Sequence, residues 1–290
     1  MQAAVLKTLA CPRDQGELFE DNHDLVCLQG HRYAIADGVP ILTSPEAATK
    51  RTKVTRVDPV VQALLVSTCG NLYRGCTLPR YPIPHFRFPG TGLLLDVGCG
   101  WGRWSFSAVN AGYTVIGIDE SLQRVLAARR VARDLGIDAE FLVADARCLP
   151  FRPETFDVVF SYSVLQHLSK NDTATSVRSI RSVLKSGARS YVQMANIAGL
   201  RSFTNYLRLP PPTGFNVRYW RLSEMRRVFS FIGETEIQTD GFFGLNVQAS
   251  DLDILPFWAR TIIRSSECLR RLPLTPLADS VYVNSVKKNS

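Results

Sequence analysis

Three carboxylates and three glycines of this chain stand at spacings that can do chemistry: Asp96, followed by Gly98, Gly100 and Gly102, and then Asp119 and Asp145, each closing an apolar run. Glycine at every second position lets a chain turn sharply and brings its backbone closer to a ligand than any Cβ permits. A carboxylate at the end of the next strand can accept hydrogen bonds from ribose hydroxyls. Together these residues read as a nucleotide-cradling turn. The spacing is G-x-G-x-G, not the G-x-G-x-x-G of dinucleotide-binding folds. Past a fourth apolar run, His167 is the residue best placed to take a proton from a hydroxyl nucleophile, with Tyr162 and Gln166 beside it to orient an acceptor.

The elements that must hold these residues follow from hydrophobic patterning. Leu93, Leu94, Leu95 and Val97 form a short unbroken apolar run, the mark of a parallel strand buried on both faces. Arg103 to Asn110 reads as the helix after the turn, with Gly112 near its end. Further strands are expected at Tyr113 to Ile118, Phe141 to Ala144, Phe156 to Phe160, Ser190 to Met194, Glu234 to Phe243 and Ser280 to Val286, with a helix over Tyr219 to Phe231. Open α/β sheets bind ligands outside the carboxyl ends of their strands, which is where Asp96, Asp119 and Asp145 fall.

In this order, Asp96 to Gly102, Asp119, Asp145 and the segment Phe156 to His167 resemble a class I S-adenosylmethionine-dependent methyltransferase with a type 11-like core. The resemblance implies an α/β, Rossmann-like sheet of seven strands, mostly parallel, with one antiparallel strand near its end. Carried over by position, Asp96 and the turn Gly98, Gly100 and Gly102 would pass under the methionine part of the cofactor. Asp119 would bind the ribose, Asp145 and the N–H of Ala146 would face the adenine, and Ser161 would line the methyl-donor side. Taken singly, Asp119 reads as a solvated strand end or helix cap and Asp145 as a loop carboxylate. Their joint placement at successive strand ends carries the assignment.

The segment Ser161-Tyr162-Ser163-Val164 lacks the Asn/Asp-Pro-Pro-Tyr of amino-N methyltransferases and the Pro-Cys nucleophile of cytosine C5 enzymes. What remains resembles methyltransferases of small molecules, lipids and glycans.

The amino-terminal residues 1–45 read as a unit of their own. Cys11-Pro12-Arg13-Asp14, Cys27-Leu28-Gln29-Gly30-His31 and the stretch Tyr33 to Leu42 resemble the zinc-ribbon-like module of small tRNA-methyltransferase activator proteins, which also heads 23S rRNA guanine-N1 methyltransferases. Structural zinc takes four ligands in a tetrahedron. Cys11, Cys27 and His31 fit, and Asp14 stands where the family has its second cysteine. Two readings stay open: a zinc site of Cys11, Asp14, Cys27 and His31, or a metal-free mini-sheet held by Leu18, Phe19, Leu25, Val26, Tyr33, Ile35 and Ile41.

Residues 46–90 read as linker and helical cap. Lys50, Arg51, Lys53 and Arg56 make the linker basic, Asp58 to Cys69 reads as a helix with Pro59 in its first turn, and Tyr73 to Gly92 is rich in proline and aromatics. Those aromatics form either one wall of a substrate pocket or a packed connection. Residues 91–290 hold the catalytic domain, with insertions at 196–219 and 244–279. Within the second, Pro256 to Leu272 is a basic amphipathic pattern. Such a helix lies on an anionic membrane or, more commonly, packs its apolar stripe on its own domain.

At 290 residues the chain can bury a large core, and 46% hydrophobic content is ordinary for a globular protein. A net charge of +8, from 34 basic and 26 acidic residues, favours anionic partners without selecting one. Seven scattered cysteines argue for reduced thiols and a cytoplasmic setting. Met1 to Cys11 lacks the basic region and length of a cleaved leader, and no run offers about 20 apolar residues for a membrane span.

The leading functional expectation is methylation, at oxygen, of a small metabolite, glycan or lipid-linked acceptor. The alternatives are an RNA methyltransferase guided by the amino-terminal module and a non-catalytic cofactor-binding scaffold. The acceptor's identity and the oligomeric state are not legible in the sequence.

Overall fold

The computed structural model describes residues 3–43, 59–68, 80–208, 217–243, 251–255 and 257–288. After a single helical turn at Ala3–Leu6 (α1), the short strands Leu18–Asp21 (β1), Asp24–Cys27 (β2), Arg32–Ala36 (β3) and Val39–Leu42 (β4) run as an antiparallel meander. The basic linker residues Lys50 to Arg56 and the aromatic stretch from Tyr73 to Pro79 lie outside the described residues. Between them, Pro59–Thr68 (α2) forms the expected helix, starting on the proline whose missing N–H costs nothing there.

The apolar run Leu93–Val97 (β5) takes the middle of a sheet, with residues 94–97 buried. Then follow Arg103–Asn110 (α3), Thr114–Asp119 (β6), Leu122–Leu135 (α4), Glu140–Ala144 (β7), Phe156–Ser161 (β8), Lys170–Val183 (α5) and Leu184–Ala195 (β9), helices alternating with strands except between β7 and β8. The β strands of this series are mutually parallel. Ends are set by local chemistry. Gly136 closes α4 in a left-handed conformation (φ 63°), and the Ser169 hydroxyl accepts the N–H of Asp172 to start α5.

Ser202–Arg208 (α6), Leu222–Phe229 (α7), Gly233–Gly241 (β10), Phe257–Arg270 (α8) and Ser280–Lys287 (β11) complete the chain. β11 runs antiparallel between β9 and β10. The order β7-β6-β5-β8-β9-β11-β10 is therefore the seven-stranded, mostly parallel sheet with one antiparallel strand that the resemblance implied. Two boundaries move. β9 is longer than Ser190 to Met194. The helix expected from Tyr219 begins at Leu222, because Trp220 is drawn into a bridge with Asn196 and buried.

The amino-terminal unit is not detached. β4 pairs in parallel with β7, Ile41 opposite Val143 and Leu42 opposite Ala144, so the sheet runs unbroken over eleven strands. Leu9 bridges Phe151, and the Cys148 thiol donates to the Pro12 carbonyl at 2.7 Å, clasping the connection that follows Asp145. The apolar side chains Val5, Leu9, Leu18, Leu25 and Tyr33 join the same core as Leu95, Ile116 and Leu142.

Of the aromatic stretch, the part within the described residues is packing. Phe86 is buried against Trp104, Tyr113 and Phe160, and Phe88 stacks on Tyr191 at 3.9 Å between ring centres.

Candidate functional site

The turn after β5 is fixed from below. The amides of Gly98 and Cys99 both donate to the Ile118 carbonyl, at 2.7 and 2.8 Å, locking the turn to the neighbouring strand β6. Gly98, Gly100 and Gly102 all have positive φ, at 77°, 56° and 89°. Gly98 and Gly102 are glycines for packing: a Cβ would lie 2.2 Å from Val164 at the first and 2.4 Å from Phe106 at the second. At Gly100 nothing lies within 4 Å of where a Cβ would stand, so this backbone borders open space.

Asp119 meets the same turn. Its Oδ2 accepts the Gly100 N–H at 3.0 Å and its Oδ1 accepts the Ser121 N–H at 3.0 Å, with the Arg124 guanidinium 3.6 Å away. Burial pushes its carboxyl up, while Arg124 and the two backbone N–H groups pull the other way. Asp96 is deeper, 1% exposed, and accepts the Ser105 hydroxyl at 2.6 Å. Burial raises its carboxyl to about 7, against the hydrogen bond from Ser105.

Asp145 lies at the next strand end, and its carboxylate is gripped by Arg147, whose Nε reaches both oxygens at 3.0 Å and whose Nη2 is 2.6 Å from Oδ2. This pair is half exposed, so it is worth about 0–1 kcal/mol and yields readily to a competing ligand. Ala146 is half-buried beside it.

The segment after β8 packs against the glycine turn through Val164, the residue that excludes a side chain at Gly98. Ser163 takes a left-handed conformation (φ 61°), and Leu165–His167 form a single 3₁₀ turn. Gln166 donates through Nε2 to the Ser163 hydroxyl at 2.8 Å, while its Oε1 is buried with no hydrogen-bond partner among the described residues. His167 is half-buried, and its carbonyl accepts from the Arg218 guanidinium.

Two residues expected in this group are engaged elsewhere. The Ser161 hydroxyl is fully buried and donates to the Val97 carbonyl at 2.9 Å, tying β8 to β5. The Tyr162 hydroxyl donates to Asp240 at 3.0 Å, within rings that include Trp104 at 4.6 Å. The structure thus brings Asp96, the three glycines, Asp119, Gln166 and His167 to one end of the sheet, and the Tyr162 hydroxyl is bonded to Asp240.

Sequence reasoning missed the groups that hold this arrangement. Asp240 also accepts from Ser280 at 2.6 Å and from Arg87 at 2.9 Å. Arg103, the first residue of α3, is bound to the buried Asp251 at 2.5 Å, pinning the second insertion beside the glycine turn. Nothing in the local pattern marks these partners, which lie far apart in the chain.

At the other end of the chain, Cys11, Asp14, Cys27 and His31 place one ligand atom each within 4.8 Å of one another. The Gly16 N–H holds Asp14 Oδ1, and Oδ2 faces His31 Nδ1 at 3.0 Å and Cys27 Sγ at 3.2 Å. His31 Nδ1 lies 3.3 Å from Cys27 Sγ and 3.5 Å from Cys11 Sγ. A zinc tetrahedron with bonds of about 2.0–2.3 Å has edges of roughly 3.3–3.8 Å; the His31 contacts with the two thiols lie in that range and the Asp14 contacts are slightly shorter, so the donor types suit zinc and small shifts would close the site.

Comparison with known proteins gives a consistent picture. Residues 94–187 match a family model described as a methyltransferase domain. The chain is 33% identical over 129 residues to a ubiquinone biosynthesis O-methyltransferase of Brucella anthropi, covering 44% of this chain and 48% of that protein. It is 28% identical over 165 residues to the protein of the same name from Aliivibrio fischeri, covering 53% and 67%. The chain thus spans about half the length of the first of these relatives, 48%. In fold it is similar to a solved S-adenosylmethionine-dependent methyltransferase of Methanosarcina mazei, with a TM-score of 0.50 at 19% identity over 68% of this chain and 93% of the other.

Asp96 makes the site's pH dependence testable. Its folded value, about 7, lies above its ordinary 3.8, so between these pH values the folded state holds a proton that the unfolded state has released. That contribution to stability is lost as pH rises through the window. Asp96→Asn should remove it, so that in urea titrations the wild type loses on the order of 4 kcal/mol relative to the variant from the acid to the neutral side. Parallel pH profiles would contradict the assignment.

Proposed function

We propose that this chain, which carries a class I S-adenosylmethionine-dependent methyltransferase core, methylates an oxygen of a small-molecule, glycan or lipid-linked acceptor. One observation supports this reading: the segment carrying Gln166 and His167 abuts the glycine turn through Val164 and Gly98, and with His167 as base and the buried Gln166 Oε1 as acceptor it would serve a hydroxyl beside the cofactor. The relatives named as O-methyltransferases support oxygen as the atom modified.

S-adenosylmethionine, when bound, supplies a methyl group on a positively charged sulfur. This chain's own residues have a modest task. The Gly100 backbone leaves room for the ligand, and Asp119, already oriented by the amides of Gly100 and Ser121, offers its remaining lone pairs to the ribose hydroxyls. Asp145 and the Ala146 N–H serve the adenine once Arg147 gives way. His167 takes the proton from the acceptor hydroxyl, and Gln166 Oε1 accepts a hydrogen bond that fixes the acceptor's orientation.

In this reading Cys11, Asp14, Cys27 and His31 hold a structural zinc ion. Its role is to fix the loop whose Pro12 carbonyl binds Cys148. Zinc should be found at one equivalent in the purified full chain, and Cys27→Ser should lose it and lower the melting temperature. Metal analysis giving a small fraction of an equivalent would leave the metal-free mini-sheet as the correct reading.

The function is tested by incubating the chain with methyl-labelled S-adenosylmethionine and a cell extract separated into RNA, protein, lipid and small-molecule fractions. Label is expected in the lipid or small-molecule fraction, and His167→Ala should reduce it by about 10²- to 10⁴-fold while S-adenosylhomocysteine still binds. Label in RNA would overturn the acceptor class. Undiminished labelling by the variant would remove His167 as base.

A further inference from the structure

The outward side of α8 is unlike an ordinary surface helix. Its inward stripe, Ala259, Ile263 and Ser266, is buried, with the first two packed in one cluster with Leu255 and with Trp101 of the glycine turn. Three large apolar side chains lie on the opposite side or just past its end: Phe257 is 81% exposed, Trp258 57% and Leu272 51%. The exposed charges on the same side, Arg264 and Arg271, are both positive. The two nearby acids are already neutralised, Asp253 by Arg80 at 2.7 Å and Glu267 by Arg87 at 3.1 Å and Arg270 at 2.6 Å. Among the described residues, this side therefore offers apolar bulk and positive charge together.

We propose that α8 docks this chain onto an anionic lipid surface. Aromatic side chains, tryptophan above all, favour the boundary between headgroups and acyl chains, where an apolar ring body is buried and its polar edge stays wet. Cationic side chains in the same plane meet the phosphates of anionic lipids. Apolar insertion or charge alone gives weak, reversible binding, and the two together make a stable one. No helix among the described residues is long and apolar enough to cross a membrane, so this is contact in the plane of the interface. The inward residues Ala259 and Ile263 belong to the same hydrophobic cluster as Trp101 of the glycine turn. The inference does not rest on the methyltransferase reading.

The test uses the full chain and vesicles of phosphatidylcholine alone or mixed in equal parts with phosphatidylglycerol. The chain should float with the mixed vesicles at low salt and be left behind by phosphatidylcholine alone. Trp258 is its own reporter, since Trp101, Trp104 and Trp220 are all buried. Mixed vesicles should move tryptophan emission to shorter wavelength and protect it from acrylamide. Joint replacement Phe257→Ser and Trp258→Ser should weaken partition at least tenfold, and Arg264→Gln and Arg271→Gln about fivefold each. If the double variant fails to fold by circular dichroism, quenching of Trp258 in the unaltered chain decides. No flotation with mixed vesicles, equal flotation with phosphatidylcholine alone, or partition indifferent to these substitutions would overturn the proposal.

Discussion

The structure depends on one constraint: the chain leaving β5 must reverse over the end of β6 without side chains in the way. Two successive amides, Gly98 and Cys99, share the Ile118 carbonyl, and the third glycine step leads directly into α3. A Cβ at Gly98 would drive Val164 outward, and with it the segment carrying Gln166 and His167. The glycine turn and the segment Val164 to His167 are therefore one packed object. Asp96 sits beneath it, where burial keeps its carboxyl from ionising easily, and Asp119 faces it from the adjacent strand end.

The rest of the fold supports that end of the sheet from two sides. On one edge, β4 adds itself to β7, so the amino-terminal unit continues the sheet instead of hanging from a linker. On the other, β10 and β11 bring Asp240 and Ser280 together beneath Tyr162, and Arg87 closes the group from the segment before β5. A buried carboxylate that stays ionised is costly unless paired, and Asp240 and Asp251 each have an arginine beside them.

How much of this was legible in the sequence varies with range. Leu93 to Val97 announces a buried strand because four of its five residues are apolar, and the glycines announce a turn because few other residues accept positive φ. Both signals are local. The strand ends at Asp119 and Asp145 were legible for the same reason, whereas the grouping of Cys11, Asp14, Cys27 and His31 was expected only from the resemblance to zinc-ribbon-like modules. What stayed hidden was long-range. Nothing near Tyr162 says that its hydroxyl will be spent on Asp240, and nothing near Val39 to Leu42 says that its partner strand is β7. The start of α7 was misplaced because the indole of Trp220 gains more from burial beside Asn196 than from a helical turn. The exposed side of α8 was ambiguous for a different cause. Its pattern is amphipathic in sequence, but only the packed molecule reveals that its aromatic end faces water.

The measurement closest to the central claim is calorimetric titration of S-adenosylhomocysteine into the full chain, the Gly100→Ala variant and the Asp119→Ala variant. The added methyl at Gly100 meets no protein atom within 4 Å, so that variant should fold with a stability loss of about 1–2 kcal/mol from its left-handed backbone and yet bind the ligand at least tenfold more weakly, since overfilling a fitted site costs about 1–3 kcal/mol. Asp119→Ala should weaken binding by a similar or larger factor through loss of hydrogen bonds to a charged acceptor. Wild-type affinity in both variants would contradict the account and place the cofactor somewhere other than the glycine turn.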